Sequence, residues 1–299
     1  MKVLRTPSER FNSLEGYDFK ENWIENLPGY EGIRIHYVDE GDKDSHVFLC
    51  LHGEPSWSYL YRKMVKVFTS SGYRCVCPDL IGFGKSDKVV EDEVYTTDFH
   101  REMLIGFIKH LNLKNVTLVI QDWGGLLGLT LPLALPQLVS SAIIMNTTFA
   151  IGQKPTDGFL MWKAFNAANE DLPVGFLFQK TNVDITEEIK TAYDAPFPSV
   201  EYKAGVRRFP ELVPLNPEEP FAKLSQKAME WWKQFQGPVF ICLGTEDVVF
   251  NESVMEEIRG ILPNVSPIFR VKEGHFAQEK GDIIATAALT FFHKQVSKL

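Results

Sequence analysis

The chain reads Val119-Ile-Gln-Asp122-Trp-Gly-Gly125 at the point where an apolar run, typical of a buried strand, meets the glycine-rich start of a helix. In a G-x-S-x-G elbow, a sharp strand-to-helix turn exposes a nucleophile, and the next backbone N–H helps to hold an oxyanion. Asp122 occupies the nucleophile position of that pattern. Because a carboxylate is already an anion at neutral pH, it can displace a leaving group from saturated carbon without first losing a proton. The alternative interpretation is that Asp122 only caps the helix, as Asp often does.

Apolar strand-like runs alternate with helical periodicity on both sides of this turn. That alternation predicts an α/β fold with a mostly parallel central sheet flanked by helices. Strands are predicted over residues 33–38, 47–51, 74–78, 116–121, 141–145, 239–243 and 267–271. Helices are predicted over residues 98–111, where the apolar side chains share one face, and over 124–135 after the turn.

The alternation stops between residues 148 and 218. This stretch is aromatic and contains prolines, and it shows helical patterning without strong strands. The change predicts a helical cap domain of residues 148–218, inserted into a core domain of residues 1–147 and 219–299.

Composition restricts the classes of partner. At 299 residues and 44% hydrophobic content, the chain can bury one large core together with an insertion. A net charge of -8 argues against nucleic acid and anionic membranes as partners. No signal peptide or membrane span is recognisable, so we expect a cytoplasmic protein, and we expect it to be a monomer. The cysteines lack the spacing of a zinc site and are predicted to be reduced core residues, and no metal or organic cofactor is expected.

A second motif, His52-Gly-Glu54-Pro-Ser-Trp57, directly follows the predicted strand 47–51. A loop at this place can aim a backbone N–H at the oxygen of the nucleophile. The backbone N–H groups of Glu54 and Trp123 are therefore predicted to form an oxyanion hole. The alternative is an ordinary turn that carries a surface histidine.

Two further candidates come late in the chain, in the order nucleophile, acid, histidine. Asp247 follows the strand 239–243, at a carboxyl end where sites in open α/β sheets collect, and Glu246 is the neighbouring alternative. His275 follows the last strand in Glu273-Gly-His-Phe276. Together with Asp122 these residues are predicted to form a triad of nucleophile, orienting acid and base.

These motifs resemble those of haloalkane dehalogenases of the α/β-hydrolase superfamily, in the family's order and over essentially the whole chain. They are His52-Gly-Glu-Pro-Ser-Trp57, Asp79-Leu-Ile-Gly-Phe-Gly-Lys-Ser-Asp87, Gln121-Asp-Trp-Gly-Gly125, Gly158-Phe-Leu-Met-Trp162, Ala204-Gly-Val-Arg-Arg-Phe-Pro210, Gly244-Thr-Glu-Asp247 and Gly274-His-Phe276. The chain is most similar to the subfamily that has Glu in the loop after His52. Subfamilies differ in which strand the acid follows. The earlier position here is Asn146, so the resemblance gives the acid role to Asp247.

The resemblance also implies a halide site and a substrate pocket. In that subfamily two tryptophans bind the halide, which here would be Trp123 and Trp162. An indole N–H is a donor without an acceptor, so two of them can stabilise a leaving halide without competing as nucleophiles. The candidate pocket walls are Phe159, Phe209, Pro210, Val213, Val248 and Val249. As isolated residues the wall candidates are equally consistent with core positions. A single tryptophan is more often a packed core aromatic, but the place of Trp123 beside the nucleophile favours function.

The reaction implied is hydrolytic cleavage of a carbon–halogen bond by way of an alkyl ester on Asp122. The expected partners are a small haloalkane, water and the halide ion, and the expected products are an alcohol, halide and a proton. One departure from the general elbow is Ile120, which stands two residues before Asp122 where a small residue is expected.

Three alternatives stay open. Epoxide hydrolases share the Asp-Trp-Gly-Gly turn and use two cap tyrosines, and Tyr193 and Tyr202 are the candidates in this cap. Fluoroacetate-type dehalogenases need arginines near the nucleophile, and residues 126–129 supply none. The third alternative is a non-catalytic binding protein on a hydrolase scaffold, against which the intact triad argues.

Overall fold

The structure is a computed structural model that describes residues 1–296. In chain order its strands are β1 (Val3–Leu4), β2 (Asn22–Ile24), β3 (Ile35–Glu40), β4 (Val47–Leu51), β5 (Arg74–Pro78), β6 (Lys88–Val89), β7 (Val116–Gln121), β8 (Val139–Met145), β9 (Val239–Gly244) and β10 (Phe269–Val271). Its helices are α1 (Arg62–Ser70), α2 (Thr97–His110), α3 (Asp122–Gly128), α4 (Asp157–Ala167), α5 (Val174–Thr181), α6 (Glu187–Asp194), α7 (Ala204–Arg208), α8 (Pro220–Trp232), α9 (Glu252–Ile261) and α10 (Gly281–Val296).

Eight strands form one sheet in the order β10-β9-β8-β7-β4-β5-β3-β2. The pairs from β10 to β5 are parallel, whereas β3 pairs antiparallel with β5 and β2 antiparallel with β3. Strands β4, β7 and β9 are buried along their whole length, which explains why they read as unbroken apolar runs. The register pairs Leu51 with Ile120 and Gln121 with Met145. The carboxyl ends of neighbouring strands therefore lie side by side at one edge.

The turn from β7 into α3 depends on close backbone contacts. Asp122 has φ 49°, a left-handed conformation that Asp tolerates better than most residues. A Cβ on Gly124 would lie 2.0 Å from the carbonyl oxygen of Leu51, so only glycine lets α3 approach β4 this closely. A Cβ on Gly128 would lie 2.9 Å from Cγ2 of Ile120. Gly128 thus makes room for the large side chain that departs from the usual elbow.

Several predicted element ends were wrong. The helix predicted over 124–135 is instead α3, followed by a separate single turn at Leu131–Leu133, because Pro132 cannot continue the backbone hydrogen bonds of a helix. The strand predicted over 267–271 begins at Phe269, since Pro267 lacks an N–H for the ladder. The strand predicted over 33–38 lies at Ile35–Glu40. The short strands β1, β2 and β6 were not predicted, because their sequences show no recognisable alternation of apolar and polar residues.

Residues 148–218, all of which the structure describes, contain α4 to α7 and no β-strand. This favours the division into core and cap domains, which stays a prediction. Polar contacts tie the segment to the rest of the chain, and two of them involve charged side chains of the core domain. Arg207 makes a bidentate ion pair with Asp92 at 2.7 and 3.0 Å, and the Tyr193 hydroxyl donates to the Glu279 carboxylate.

Over residues 1–296, no helix has both the length and the hydropathy that a bilayer span requires.

The glycine contacts generate a stability prediction. We expect Gly124→Ala to lower the free energy of unfolding by about 1–3 kcal/mol or more, because the new Cβ meets backbone that must shift. The matched control is Gly260→Ala in α9, where a Cβ has no neighbour within 4 Å. That substitution is expected to raise the free energy of unfolding by about 0.5–1 kcal/mol. Urea denaturation of both variants measures the difference, and equal effects would contradict the close approach of α3 to β4.

Candidate active site

Five adjacent strand ends bring distant parts of the sequence together at one edge of the sheet. The loop that contains Glu54 follows β4, Asp122 follows β7, Asn146 follows β8, Asp247 follows β9 and His275 follows β10. All of these residues except Asn146 line one cavity of about 780 Å³. The candidate site therefore occupies the place that open α/β sheets favour.

The His275 ring lies between two carboxylates. Its Nδ1 is 2.9 Å from Oδ2 of Asp247, and its Nε2 is 3.4 Å from Oδ2 of Asp122. Burial acts to lower the pKa of His275, but the charge of Asp247 and the hydrogen bonds to both carboxylates outweigh it and raise that pKa to about 10. The two carboxylates therefore favour the imidazolium form of the ring.

Asp247 is fixed from two further sides. The Val249 N–H donates to Oδ1 at 2.7 Å, and the Asn146 side-chain amide donates to Oδ2 at 2.8 Å. Although burial opposes ionisation, His275 and these hydrogen bonds lower the pKa of Asp247. Glu246, the alternative acid, is exposed and accepts a hydrogen bond from Thr245 instead. The structure therefore places Asp247, and not Glu246, beside His275.

The contacts of Asn146 were not predicted from the sequence. Its φ is 27°, and its side-chain oxygen accepts from the Gly244 N–H at 2.8 Å while its amide nitrogen holds Asp247. The sequence had marked this position only as one that cannot supply a carboxylate. An Asn directly after a buried strand is a usable signal, because Asn tolerates positive φ and bonds to neighbouring backbone.

Oδ1 of Asp122 lies in a different environment from Oδ2, which is the oxygen near His275. The Glu54 N–H donates to Oδ1 at 2.8 Å. Trp123 is the second residue of α3, so its N–H has no partner one turn earlier in the helix. Burial and the nearby Asp122 charge raise the pKa of the Glu54 carboxyl well above its usual range, which favours a neutral side chain beside the Asp122 anion.

The tryptophans fall into distinct groups. Trp57 and Trp232 are fully buried, and each indole N–H donates to a backbone carbonyl, that of Ala192 at 3.2 Å and that of Leu129 at 2.8 Å. Trp123 and Trp162 line the cavity instead, and within residues 1–296 no protein acceptor takes a hydrogen bond from either indole. These two indoles can donate to an ion bound in the cavity.

Comparisons with known proteins agree with this geometry. A family model described as the alpha/beta hydrolase fold matches residues 46–282. A haloalkane dehalogenase of Mycolicibacterium paratuberculosis is 37% identical, covering 97% of this chain and 98% of that protein. One of Psychrobacter cryohalolentis is 35% identical, covering 98% of this chain and 99% of that protein. Among solved structures, the tetrameric haloalkane dehalogenase DpaA of Paraglaciecola agarilytica NO2 is 44% identical with a TM-score of 0.95, covering 97% of this chain and 98% of that one.

This chain belongs to the haloalkane dehalogenase family. The predicted fold and the predicted family are both confirmed.

The cavity of the enzyme has mostly apolar walls. Five of the predicted wall residues line it, namely Phe159, Pro210, Val213, Val248 and Val249. Phe209 does not. It is fully buried, and its ring packs against that of Trp123 with a centroid distance of 4.8 Å, because successive residues of the turn Phe209–Leu212 point in different directions. Leu126, Leu177 and Phe250 also line the cavity and were not predicted, since nothing in their sequence context separates them from core residues.

The two cap tyrosines do not face the cavity. Tyr193 is fully buried with its hydroxyl bonded to Glu279, and Tyr202 is absent from the lining. The cysteines are buried and unpaired, as the sequence predicts. Within residues 1–296 no three His, Cys, Asp or Glu side chains are grouped so that they could hold a metal ion.

The raised pKa of His275 has a consequence for stability. Its folded value of about 10 exceeds the usual value of about 6.5, so the stabilisation is complete below about pH 6.5 and is lost as the pH rises through about 10. We expect the difference in free energy of unfolding between the native enzyme and His275→Phe to fall between pH 7 and 10. Denaturant titrations at several pH values measure it.

His100 supplies the control for that measurement. Its burial lowers its pKa to about 3, so above about pH 8 neither the folded nor the unfolded state protonates it. The difference between the native enzyme and His100→Phe should therefore be flat over that range. A flat difference for His275→Phe as well would contradict the imidazolium between two carboxylates.

Proposed function

We propose that the enzyme hydrolyses haloalkanes through an alkyl ester on Asp122, giving an alcohol, a halide ion and a proton. One observation carries the proposal, namely the unequal surroundings of the two Asp122 oxygens. Oδ1 accepts from the Glu54 N–H at 2.8 Å, while Oδ2 lies 3.4 Å from Nε2 of His275 and the side chain borders the cavity. One oxygen can attack while the other stays in a site prepared for negative charge.

In the first half-reaction an Asp122 oxygen bonds to the halogen-bearing carbon, and the carbon–halogen bond breaks with its electron pair leaving on the halide. The indole N–H groups of Trp123 and Trp162 stabilise the charge that develops there. The apolar cavity walls keep water from competing for those donors. No proton transfer is needed, because Asp122 attacks as an anion.

Ester formation changes the electrostatics around His275. The ester removes the negative charge of Asp122, which contributes to the raised pKa of the imidazolium. His275 can then release its proton to solvent and act as a base, while Asp247 keeps the ring oriented. The first half-reaction thereby prepares the base that the second one needs.

In the second half-reaction His275 takes a proton from water as the water oxygen bonds to the ester carbon. The tetrahedral oxyanion is stabilised by the N–H groups of Glu54 and Trp123. Collapse breaks the bond to the alkoxy oxygen, which leaves as the alcohol with the proton that His275 took from water. The other proton of water passes from the Asp122 carboxyl to His275, so the imidazolium is restored and one proton is released per turnover. Asp122 is regenerated as a carboxylate.

The alternatives fit the site less well. An epoxide hydrolase needs two tyrosine hydroxyls that point at the epoxide oxygen, and neither Tyr193 nor Tyr202 lines the cavity. A non-catalytic binding protein gives no reason for two carboxylates held within hydrogen-bonding reach of one histidine. The expected cytoplasmic location and monomeric state stay predictions.

The ester intermediate gives the main test. We expect His275→Phe, incubated with 1,2-dibromoethane, to release about one equivalent of bromide and then stop, because only hydrolysis requires the base. Peptide mass mapping should find the alkyl adduct on Asp122. The control Asp122→Ala should give neither bromide nor adduct. Sustained turnover by His275→Phe, or an adduct on another residue, would overturn the proposal.

The halide site gives a second test. Bromide should quench the fluorescence of the native enzyme, and Trp162→Phe should weaken that signal and slow carbon–halogen cleavage by at most about 10²–10³, the cost of one missing oxyanion-type donor. Trp231→Phe is the matched control, because Trp231 lies outside the cavity lining. If bromide gives no signal beyond that of an ionic-strength control and Trp162→Phe cleaves at the native rate, the two-tryptophan site is wrong. Turnover of styrene oxide would then favour an epoxide hydrolase.

A further inference from the structure

Glu273 stands two residues before His275, and its side chain is fully buried. Its Oε1 accepts three hydrogen bonds, from the Val183 N–H at 2.6 Å, the Gly274 N–H at 2.9 Å and the Asn182 side-chain amide at 3.0 Å. Two of these donors belong to residues 182–183, which follow α5. One carboxylate oxygen therefore joins the end of α5 to the loop that carries His275.

The backbone of the same loop is enclosed on both sides. A Cβ on Gly274 would lie 1.5 Å from the Thr181 carbonyl oxygen, so the loop touches the end of α5 directly. On the other side the Glu273 carbonyl accepts from the Glu246 N–H at 2.9 Å, in the loop that carries Asp247. Glu273 thus contacts the Asp247 loop through its backbone and the cap segment through its side chain.

Asn182 extends this connection to the cavity wall. Its side-chain amide donates to Glu273 and also to the Phe276 carbonyl at 3.0 Å. Asn182, Val183, His275 and Phe276 all line the cavity. A shift of residues 182–183 would therefore move the wall beside the histidine.

We propose that Glu273 is a positioning residue for ester hydrolysis, which places Nε2 of His275 by fastening residues 182–183 to the histidine loop. The proposal rests on the alkyl-ester mechanism proposed above. We refer to Glu273, Asn182 and Val183 together as the latch.

The two half-reactions depend on the latch to different degrees. Attack by Asp122 requires the turn between β7 and α3 and the indole donors, none of which contacts Glu273. Hydrolysis requires a water molecule held between His275 and the ester carbon. A misplacement of about 1 Å in such an arrangement can cost about 10²-fold in rate. Loss of the latch should therefore slow hydrolysis selectively.

A merely structural role predicts a different result. A residue that only anchors the cap would lower stability and disturb both half-reactions alike. The Arg207–Asp92 ion pair provides the comparison, since it also ties the cap segment to the rest of the chain but neither residue lines the cavity. Asp92→Ala is therefore the matched control for loss of an anchor.

Glu273→Gln distinguishes the hydrogen-bond acceptor of Glu273 from its negative charge. Within residues 1–296 Oε2 of Glu273 is buried without a hydrogen-bond partner, so all the contacts of the latch go to Oε1. Glu273→Gln keeps an oxygen acceptor in that place, whereas Glu273→Ala removes it. Rescue by glutamine would assign the effect to these hydrogen bonds.

The experiment measures bromide and alcohol formation separately in single turnovers of 1-bromobutane by the full-length enzyme. For Glu273→Ala we expect alcohol formation to slow by about 10–100-fold while bromide formation stays within about threefold of native, so that the ester on Asp122 accumulates. Glu273→Gln should stay within about threefold of native in both steps, and Asp92→Ala should lower the melting temperature without ester accumulation.

Several results would contradict the role proposed for Glu273. Equal slowing of both steps in Glu273→Ala, or the same ester fraction in Asp92→Ala, would overturn the positioning role. If Glu273→Ala does not fold, Asn182→Ala decides, because it removes the amide that bridges Glu273 and the Phe276 carbonyl, and an unchanged rate of alcohol formation would overturn the latch. His275→Phe is the reference, since its failure to accumulate ester would refute the ester mechanism rather than the latch.

Discussion

Parallel pairing of β4, β7, β8, β9 and β10 is the constraint on which the rest of the site depends. Each backbone ladder holds neighbouring strands about 4.8 Å apart, so residues that follow the strands meet even when the sequence separates them widely. Asp122, Asp247 and His275 come from three different strand ends, and the sheet sets their spacing before any side-chain contact forms. The close approach of Gly124 to the Leu51 carbonyl then fixes where the turn after β7 stands against β4.

The charges at this edge are arranged around His275. One imidazolium lies between two carboxylates, and the neighbouring Glu54 favours its neutral form because burial and Asp122 raise its pKa. A further anion beside Asp122 would oppose the approach of a leaving halide. Esterification of Asp122 removes one of the two negative charges that hold the proton on His275. The same arrangement can therefore stabilise the resting enzyme and supply a base only after the first chemical step.

The sequence predicted those features of the fold and site that depend on local signals. Asp122, Asp247 and His275 each follow a recognisable strand, and the parallel topology brings the ends of those strands together. The position of Asn146 directly after a buried strand is a local signal, but its bond to Asp247 and the bonds of Glu273 to residues 182–183 could not be predicted, because they reach segments distant in sequence. Phe209 shows a different limit, since an apolar pattern identifies a residue as buried without telling whether it faces the core or a cavity. The helix after Asp122 was predicted too long because its apolar run continues past the proline that ends it.

The geometry around Asp247 shows how an acid that follows either of two strands could orient His275. Asn146, at the end of β8, donates to the same Asp247 oxygen that bonds His275, at 2.8 and 2.9 Å respectively. The ends of β8 and β9 therefore reach one point beside Nδ1 of the histidine. A carboxylate from either strand could orient the ring, provided that the other strand supplied a neutral donor and not a second anion, because two carboxylates at this distance would repel each other. Asn146 fulfils that condition here. A neutral Asn suits position 146 because Asp247 beside it is negatively charged, and because Asn tolerates the positive φ of that position.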